Sequence, residues 1–173
     1  TQLVFCDLST PKKPYSEYEY GKDFDAYNDL KHKLIERGIP ENEIAFIHDA
    51  NTDRAKQDLF DKINAGAVRV LIGSTEKCGA GTNVQKRLVA IHHLDAPYRP
   101  RDLIQRNGRG IRQGNMNKGI RIYTYATERT FDSYSYQILE NKQRFISQVE
   151  KGDMTVREAD DIDEATLSYA EIK

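Results

Sequence analysis

The chain has 173 residues and a formal net charge of −1, since 26 lysines and arginines stand against 27 aspartates and glutamates. This length fits one domain of ordinary size that can bury a hydrophobic core. The balanced charge excludes a protein that is basic over its whole surface, so any nucleic-acid-binding surface must come from local segregation of charge.

Cysteine usage and hydropathy indicate the compartment. Cys6 and Cys78 lie far apart and form no CxxC pattern, so free, buried thiols in a reducing, cytoplasmic setting are the simplest expectation. No apolar run approaches the roughly 18 residues of a membrane span, and we expect no membrane partner. The chain begins without Met inside an apolar run, which indicates a fragment of a longer protein without a signal peptide.

Apolar runs alternate with helical patterns along the chain. The predicted strands are Leu3–Cys6, Ile44–Ile47, Val68–Gly73, Leu88–Leu94 and Ile120–Ala126. The predicted helices are Asp25–Arg37, a second from a cap near Thr52 to Gly66, one that carries Gln105 and the arginines after it, and a last from Thr130 to about Lys151. This alternation is typical of an α/β fold with a mostly parallel sheet and helices on both faces. Ligands then lie beyond the carboxyl ends of the strands.

Two segments depart from this alternation. Residues 9–23 are predicted to be a loop insertion with three tyrosines, Tyr15, Tyr18 and Tyr20. These rings either anchor the loop on its own domain, which we favour, or stack on bases or a partner. Residues 152–173 are acidic, which predicts a mobile or partner-dependent tail after the last helix. That helix has an apolar stripe including Phe131 and Phe145, which predicts packing on the domain.

The loop after the third strand, residues 74–83, has a composition suited to phosphate groups. Its Gly-x-Gly turn, Gly79 to Gly81, lets backbone N–H groups face an anion, although a tight turn alone explains many such patterns. Its small polar side chains are donors that suit phosphodiester oxygens. The predicted nucleic-acid contacts are Ser74, Thr75, Lys77, Thr82 and Asn83 in this loop and Arg99 after the fourth strand. For Arg99 a local salt bridge is the alternative.

The arginine segment, Gln105–Gly114, holds three arginines and three glycines in ten residues. Arg109 and Arg112 are three apart, so on a helical turn they are predicted to project from one face. Two guanidiniums aimed the same way suit phosphate oxygens. Gly108 and Gly110 let another surface approach the backbone closely. The alternative is a solvated basic helix face.

Other catalytic patterns are missing from the sequence. No G-x-x-x-x-G-K-[ST] phosphate-binding loop is present, and no strand ends in a pair of acidic residues suited to Mg²⁺. His92 and His93 are adjacent in a strand and face opposite sides, so we predict core histidines and no metal site. Arginines for phosphoryl transfer without a triphosphate site indicate half of an active site.

In order and spacing these motifs resemble the second RecA-like lobe of superfamily-two helicases and translocases, closest to the Swi/Snf-type branch. The resemblance covers about residues 2–150, including the loop after the third strand, Asp95–Pro100, the arginine segment, and Thr130-Phe131-Asp132 at a helix start. Tyr98 stands where that branch usually has Trp, and the 9–23 insertion is longer than usual. The chain also resembles the helicase-like segment of large bacterial mobile-element or phage proteins that contain an adenine-specific DNA methyltransferase.

The resemblance implies a RecA-like three-layer αβα lobe over residues 1–151. Arg109 and Arg112 would act as arginine fingers on the ATP γ-phosphate, and Gln105, Gly79 and Gly81 would line the nucleotide cleft. ATP and Mg²⁺ would be held mainly by an N-terminal RecA-like lobe of the same parent chain, with duplex DNA as the other partner. The implied reaction is ATP hydrolysis coupled to movement on DNA. The alternatives are an inactive RecA-like DNA- or protein-binding module, or a small α/β enzyme acting on a phosphorylated metabolite.

Overall fold

The computed structural model describes residues 1–78, 81–127 and 129–150. The predictions for Gly79 and for the acidic tail at 152–173 lie outside the described residues. Cys6 and Cys78 are both buried and free of disulfides, as predicted. Among the helices described, none has the combination of length and apolar character that a membrane crossing requires.

The centre of the fold is a five-stranded parallel sheet. Its strands are β1 (Gln2–Phe5), β2 (Ile44–Phe46), β3 (Val70–Gly73), β4 (Ala90–His93) and β5 (Arg121–Thr124). Their order across the sheet is β2-β3-β1-β4-β5, and every neighbouring pair runs parallel. All five predicted strands are therefore present, and the predicted α/β class is confirmed. β5 forms an edge, and all four of its residues are exposed.

Four helices surround the sheet. They are α1 (Ala26–Glu36), α2 (Asp53–Ala65), α3 (Pro100–Asn107) and α4 (Phe131–Glu150). The carboxylate of Asp25 accepts a hydrogen bond from the backbone N–H of Asn28, and the hydroxyl of Thr52 accepts one from Ala55, so α1 and α2 begin at side-chain caps. α2 ends at Gly66, whose φ of +90° is the left-handed conformation that glycine adopts without strain.

Strand order decides which face each helix covers. β1 to β2 steps in one direction across the sheet, and the later connections step in the other. Because parallel crossovers are right-handed, α1 lies on one face, and α2 and α3 on the other. The core against α1 contains Val4, Cys6, Tyr27, Ile44, Phe46, Val70 and Ile72. The core against α2 includes Leu3, Phe5, Ile47, Phe60, Ile63, Leu71 and Ile91. This arrangement is the predicted three-layer αβα sandwich.

The helix predicted to carry both arginines is shorter than expected. α3 ends at Asn107, and tight turns follow in which the N–H of Arg109 donates to the carbonyl of Arg106 at 3.2 Å. The N–H of Gly110 donates to the carbonyl of Asn107 at 3.0 Å. Arg109 and Arg112 therefore lie beyond the helix, and the prediction that they share one helical face is wrong. Arg109 is buried and Arg112 is exposed.

The face by which α4 packs also differs from the expectation. α4 lies against α3 through Tyr136 and Leu139, and Leu139 is buried. Phe131 and Phe145, which the apolar stripe placed at the packing face, are 65% and 45% exposed. Helical spacing of aromatic residues identified the helix correctly, but it did not identify the side that contacts α3.

The loop insertion at 9–23 is anchored on its own domain, as favoured. The Tyr15 hydroxyl and His32 Nδ1 on α1 are 3.2 Å apart. The ring of Tyr20 stacks on the His32 ring with centroids 4.1 Å apart. Lys31 Nζ lies 4.6 Å from the centroid of the Tyr15 ring. α1 therefore provides the platform for two of the three tyrosines.

Candidate functional site

The candidate site lies at the carboxyl edge of the sheet. β1, β3 and β4 are neighbours and run parallel, so the loops that follow them meet at this edge. The chain leaves β1 towards α1, whereas after β3 and β4 it continues on the face of α2 and α3. Adjacent strands whose loops depart to opposite faces create the crevice in which α/β sheets bind ligands.

Arg106 is the residue on which these loops converge. It is the largest of the fully buried side chains in the described part of the chain, with 1% of its surface exposed. Its Nε donates to Thr75 Oγ1 at 2.7 Å, and its Nη1 donates to the carbonyl oxygen of Asp95 at 2.9 Å. Its Nη2 donates to Asp7 Oδ2 at 2.7 Å and to Asp95 Oδ1 at 3.1 Å. We call these four residues the Arg106 network.

The carboxylates of the network also bind backbone groups. Asp95 Oδ2 accepts from the N–H of Asp7 and, at 2.8 Å, from the N–H of Leu8. Asp7 Oδ1 accepts from the N–H of Thr75 at 2.6 Å, and Asp7 Oδ2 accepts from the Thr75 hydroxyl at 2.7 Å. A buried charge is tolerated when it is paired and fully hydrogen-bonded. The network therefore locks the loops after β1, β3 and β4 together.

Aromatic rings form the floor of the network. The guanidinium carbon of Arg106 lies 5.1 Å from the centroid of the Phe5 ring, and Phe5 stacks on His93 at 5.8 Å. His93 Nε2 lies 2.8 Å from Asn107 Oδ1, which can only accept, so Nε2 carries the hydrogen. Burial lowers the pKa of His93, and the adjacent Arg106 charge lowers it further, although Asn107 opposes the shift. His93 is thus a neutral core residue beneath Arg106.

Arg109 is a buried cation of a different kind. Only 4% of its surface is exposed, yet its Nε and Nη1 atoms have no hydrogen-bond partner among the described residues. Burial lowers the pKa of Arg109, and the neighbouring charge of Arg112 lowers it further. Arg109 also opposes the rise in the pKa of Cys78, which burial raises to about 12. A desolvated guanidinium without an acceptor fits an incoming anion.

Arg112, Gln105 and Gly81 are the other residues predicted for the nucleotide cleft that the structure describes. Arg112 is exposed, and Gln105 is half-buried on the last turn of α3. Gly81 is exposed with a φ of +87°, and a Cβ atom there would meet nothing within 4 Å. This open backbone fits both readings of the Gly-x-Gly pattern, a tight turn and a surface that a ligand can approach.

Gly110 and Gly108 differ in what approaches them. A Cβ atom on Gly110 would overlap Ile120 Cδ1 and lie 3.1 Å from Ile91 Cδ1, so the approaching surface belongs to the same domain. At Gly108 the nearest atom is the carbonyl oxygen of Ile104, at 3.2 Å, within the same helical turn. Gly110 alone of the two therefore packs the arginine segment onto β4 and onto Ile120, the residue before β5.

In the loop at 74–83, some polar groups are buried or hydrogen-bonded within the domain, and other side chains are exposed to solvent. Both donors of Thr75, its N–H and its hydroxyl, are bonded to Asp7. Ser74 is buried, and its Oγ accepts from the N–H of Lys77 at 3.2 Å. Thr82 is buried as well. Lys77 and Asn83 are exposed. The structure thus places these predicted contacts in one loop, with Lys77 and Asn83 facing solvent.

Arg99 lies at the same edge, in the loop that leads from β4 to α3. It is exposed and occupies the cap position of α3, where its carbonyl accepts from the N–H of Asp102 at 3.0 Å. The adjacent Tyr98 is 77% exposed, and Lys142 Nζ lies 4.8 Å from the centroid of its ring. No ion pair of Arg99 with Asp95 or Asp102 is among the salt bridges of the described residues.

The sequence interpretation missed the Arg106 network. In the sequence Arg106 is only one of three arginines in its segment, Asp95 is considered only as a salt-bridge partner of Arg99 or Arg101, and Asp7 has no predicted role. A signal was nevertheless present, because each of these aspartates directly follows or nearly follows an apolar strand. Acidic residues at neighbouring strand ends, with an arginine in the next helix, indicate a buried ion-pair cluster.

The two histidines face opposite sides, as predicted. His93 is completely buried, whereas His92 is only partly buried on the face of α1. His92 stacks on Tyr123 with centroids 4.9 Å apart, and its Nδ1 and Nε2 lie 2.9 Å from Tyr125 Oη and Gln2 Oε1. The part of the chain that the structure describes contains no group of three His, Cys, Asp or Glu residues placed to hold a metal.

Comparisons with known proteins agree with this geometry. The chain is 32% identical over 103 residues to Defense against restriction protein B of Escherichia phage P1. The match covers 58% of this chain and 5% of that protein, so the chain corresponds to about one-twentieth of its length. The fold is similar to the crystal structure of the C-terminal part of the Fun30 ATPase domain, with a TM-score of 0.57 and 19% identity. That alignment covers 79% of this chain and 38% of the other, and it shows the RecA-like fold.

A family profile also matches the chain. The profile described as Helicase conserved C-terminal domain matches residues 19–114, which is more than half of the chain. The matched range runs from the insertion through the loop at 74–83 to the last residue of the arginine segment. With the RecA-like sheet and the converging loops, this match identifies the chain as a member of the helicase conserved C-terminal domain family.

Proposed function

We propose that this chain is the second RecA-like lobe of an ATP-dependent DNA helicase or translocase of superfamily two. An N-terminal RecA-like lobe of the same longer protein would hold ATP and Mg²⁺, and this lobe would close over the γ-phosphate. The missing phosphate-binding loop supports a division of the active site between two lobes. The free, buried thiols support a cytoplasmic setting.

The observation that carries the proposal is that two nitrogens of the buried Arg109 guanidinium, Nε and Nη1, have no hydrogen-bond partner among the described residues. An ionised group without a partner in a desolvated position is unfavourable, so such groups are normally paired. Nε and Nη1 of Arg109 lack acceptors among the described residues. A phosphate oxygen would satisfy them with charge-assisted hydrogen bonds. The residue therefore fits a triphosphate that arrives from outside this lobe.

Arg112 completes the cationic pair in this proposal. It is exposed, and its charge adds to the effect of burial, which is the larger cause of the lowered pKa of Arg109. Two like charges side by side repel each other unless an anion lies between or beside them. Arg109 and Arg112 would stabilise the negative charge that develops on the transferring phosphoryl group. Gln105 and Gly81, with Gly79, would line the nucleotide edge.

Nucleic acid would bind at the same edge of the sheet. Lys77 and Asn83 are exposed in the loop at 74–83, and Arg99 is exposed after β4. These side chains can contact phosphodiester oxygens, which position a duplex without reading its sequence. Ser74, Thr75 and Thr82 would then support the loop that carries Lys77 and Asn83. The reaction would couple ATP hydrolysis to movement on duplex DNA.

A large phage or mobile-element protein is the parent that we propose. The phage P1 relative is named for defense against restriction, and restriction acts on DNA. The small share of that relative that the chain spans is compatible with many further domains, among them the proposed N-terminal lobe and an adenine-specific DNA methyltransferase.

The first experiment compares ATP hydrolysis by the full-length protein with and without DNA, for wild type, Arg109→Ala and Arg112→Ala. Loss of an arginine finger typically reduces turnover about 10³–10⁵-fold, so we expect both variants to be inactive while retaining wild-type melting behaviour. Arg144→Ala is the matched control, because Arg144 is an exposed arginine whose ion pair in the described structure is with Glu140 on α4. We expect Arg144→Ala to retain wild-type turnover.

Other outcomes would favour a different function. If the wild-type protein hydrolyses no ATP either with or without DNA but still binds DNA, the result would support a RecA-like binding module that has lost catalysis. Wild-type turnover that survives both arginine substitutions would contradict the proposed roles of Arg109 and Arg112. Turnover by the isolated chain on a phosphorylated metabolite would support the small-enzyme alternative.

A further inference from the structure

Arg106 has no place in the phosphate contacts proposed above, although it is the most completely buried charge of the site. It lies in α3 between Gln105 and Asn107, one turn before Arg109. Its side chain points away from solvent and ends among Asp7, Thr75 and Asp95. These three partners belong to three different loops at the carboxyl edge of the sheet.

Stability alone does not explain such a cluster. Taking the charges of Arg106 and Asp95 out of water is unfavourable, and well-packed apolar residues often stabilise a core equally well. Hydrogen bonds of fixed direction provide something that apolar packing does not, namely a defined position for each loop. The planar guanidinium bonds to three residues at once, so the loops after β1, β3 and β4 cannot shift independently.

The network connects to Arg109 by two separate routes. Through the backbone, the N–H of Arg109 donates to the carbonyl of Arg106 at 3.2 Å. Through the loop after β3, Thr75 is held by Arg106, and the N–H of Cys78 donates to the carbonyl of Ser74 at 2.9 Å. Cys78 in turn lies under the electrostatic influence of Arg109. The turn at Ser74–Cys78 and the backbone of Arg109 are therefore both hydrogen-bonded to Arg106, directly or through Thr75.

We infer that Arg106 is a positioning residue that sets the placement of Arg109 against the turn at Ser74–Cys78, and thereby couples the nucleic-acid-facing loop to the arginine fingers. This inference rests on the proposed function for its catalytic readout. Arg106 touches neither nucleotide nor DNA. Its role is to keep the 74–78 turn and the arginine segment in one rigid unit, so that a change at Lys77 reaches Arg109.

The catalytic test is Arg106→Lys in the full-length protein. Lysine keeps the charge, but a single ammonium cannot reproduce the planar three-residue pattern of bonds. Misplaced arginine fingers lose transition-state stabilisation rather than substrate binding. We expect kcat for DNA-stimulated ATP hydrolysis to fall at least about tenfold, with KM for ATP within about threefold of wild type. The ratio of DNA-stimulated to basal turnover should fall as well.

Thr75→Val is the second variant, because Arg106→Lys could simply fail to fold. Valine has the shape of threonine but lacks the hydroxyl that bonds to Asp7 Oδ2 and Arg106 Nε. We expect the same division, with lower kcat and little change in KM, whereas Thr75→Ser should restore the hydroxyl and most of the turnover. Equal losses in Thr75→Val and Thr75→Ser would argue against the network.

Hydrogen–deuterium exchange of the full-length protein provides a readout apart from activity. The N–H groups of Leu8 and Thr75 are bonded to carboxylates of the network. In Arg106→Lys we expect faster exchange in peptides covering residues 6–8 and 74–78, with exchange in β3 unchanged. Ile44→Ala in β2, a core variant outside the network, is the control and should not accelerate those two regions selectively.

The outcomes separate this inference from the proposed function. If Arg109→Ala abolishes hydrolysis and Arg106→Lys has wild-type kcat and DNA stimulation, the positioning role of Arg106 is wrong. The proposed function as the second RecA-like lobe then stands. If wild type lacks hydrolysis, the proposed function is wrong, and the exchange experiment alone then decides whether Arg106 holds the loops together. Uniformly faster exchange throughout the protein in Arg106→Lys would reduce Arg106 to an ordinary stabilising residue and overturn the inference.

Discussion

Gly110 lies within the arginine segment, at the point where the backbone passes directly over two isoleucines. A methyl group at this position would overlap Ile120 Cδ1 and lie 3.1 Å from Ile91 Cδ1. The backbone there does not require a positive φ, so the requirement for glycine is steric rather than conformational. This close approach brings the turns after α3 against β4 and leaves Arg109 buried.

Gly110→Ala is expected to destabilise the chain by about 1–3 kcal/mol, because extra volume in a packed region forces neighbouring side chains and backbone to move. Urea unfolding at neutral pH measures the change in the free energy of unfolding. Gly119→Ala is the control, since a Cβ atom at Gly119 meets nothing within 4 Å. An effect of Gly110→Ala no larger than that of Gly119→Ala would show that the segment moves away without cost.

At the scale of elements, the residues at which each helix begins and ends decide which of its side chains are buried and which are exposed. α2 begins at Thr52, whose hydroxyl accepts from the N–H of Ala55 at 3.1 Å, and ends at Gly66 in the left-handed conformation. α3 begins with Pro100 in its first turn and stops at Asn107. The α-helix gives way to turns after Asn107, and no regular helix joins Arg109 to Arg112, so Arg109 lies in the interior and Arg112 outside.

Thr52→Ala removes the cap of α2 and leaves a backbone donor without its partner. We expect a loss of about 1 kcal/mol in the free energy of unfolding. Thr52→Ser retains a hydroxyl acceptor and is expected to behave like wild type within a few tenths of a kcal/mol. Chemical unfolding of the three proteins side by side measures both effects, and equal stability of Thr52→Ala and Thr52→Ser would contradict the capping role.

For the whole molecule, the charge distribution matters more than the net charge of −1. The buried Arg106 is paired with the carboxylates of Asp7 and Asp95 at the carboxyl edge of the sheet. His93 lies beneath this network as a neutral ring. Burial lowers the pKa of His93 from its ordinary value of 6.5, with Arg106 and His92 adding to the shift and Asn107 and Asp95 opposing it. Burial also lowers the pKa of His48 and of His92.

Stability is therefore expected to fall as the pH drops below about 6.5. A histidine whose pKa is lowered on folding binds a proton more readily in the unfolded chain, so protons favour unfolding in this range. The contribution is fully present above the unfolded pKa and decreases as pH falls from there towards the folded pKa. Urea midpoints at about pH 7.5 and 5.5 test the direction, in a range above the main titration of carboxylates.

His93→Gln identifies the share of His93 in this pH dependence. Glutamine can donate to Asn107 Oδ1 as the imidazole does, but it does not titrate. We expect a smaller loss of stability between the two pH values than in wild type, with the remainder due to the other histidines. An unchanged pH dependence in His93→Gln would show that His93 is not protonated on unfolding in this range.

Much of the fold was predictable from sequence because local patterns determine it. Five apolar runs gave five strands, and their alternation with helical patterns gave a parallel sheet with helices on both faces. The family resemblance agrees with the profile match over residues 19–114. The edges of elements were less accurate, since β4 is Ala90–His93 where Leu88–Leu94 was predicted. Hydrophobicity extends beyond the residues that pair with a neighbouring strand.

The amino-acid sequence by itself determined the fold class, the position of the arginine segment after the fourth strand, and the opposite orientation of His92 and His93. Each of these follows from periodicity or from local order along the chain. Only the tertiary structure decided that Arg106 rather than Arg109 binds Asp7 and Asp95, and that Arg109 is buried with Nε and Nη1 unpartnered among the described residues while Arg112 is exposed. The reason is physical: those contacts join residues up to 99 positions apart, and which arginine reaches them depends on strand order and on where α3 ends.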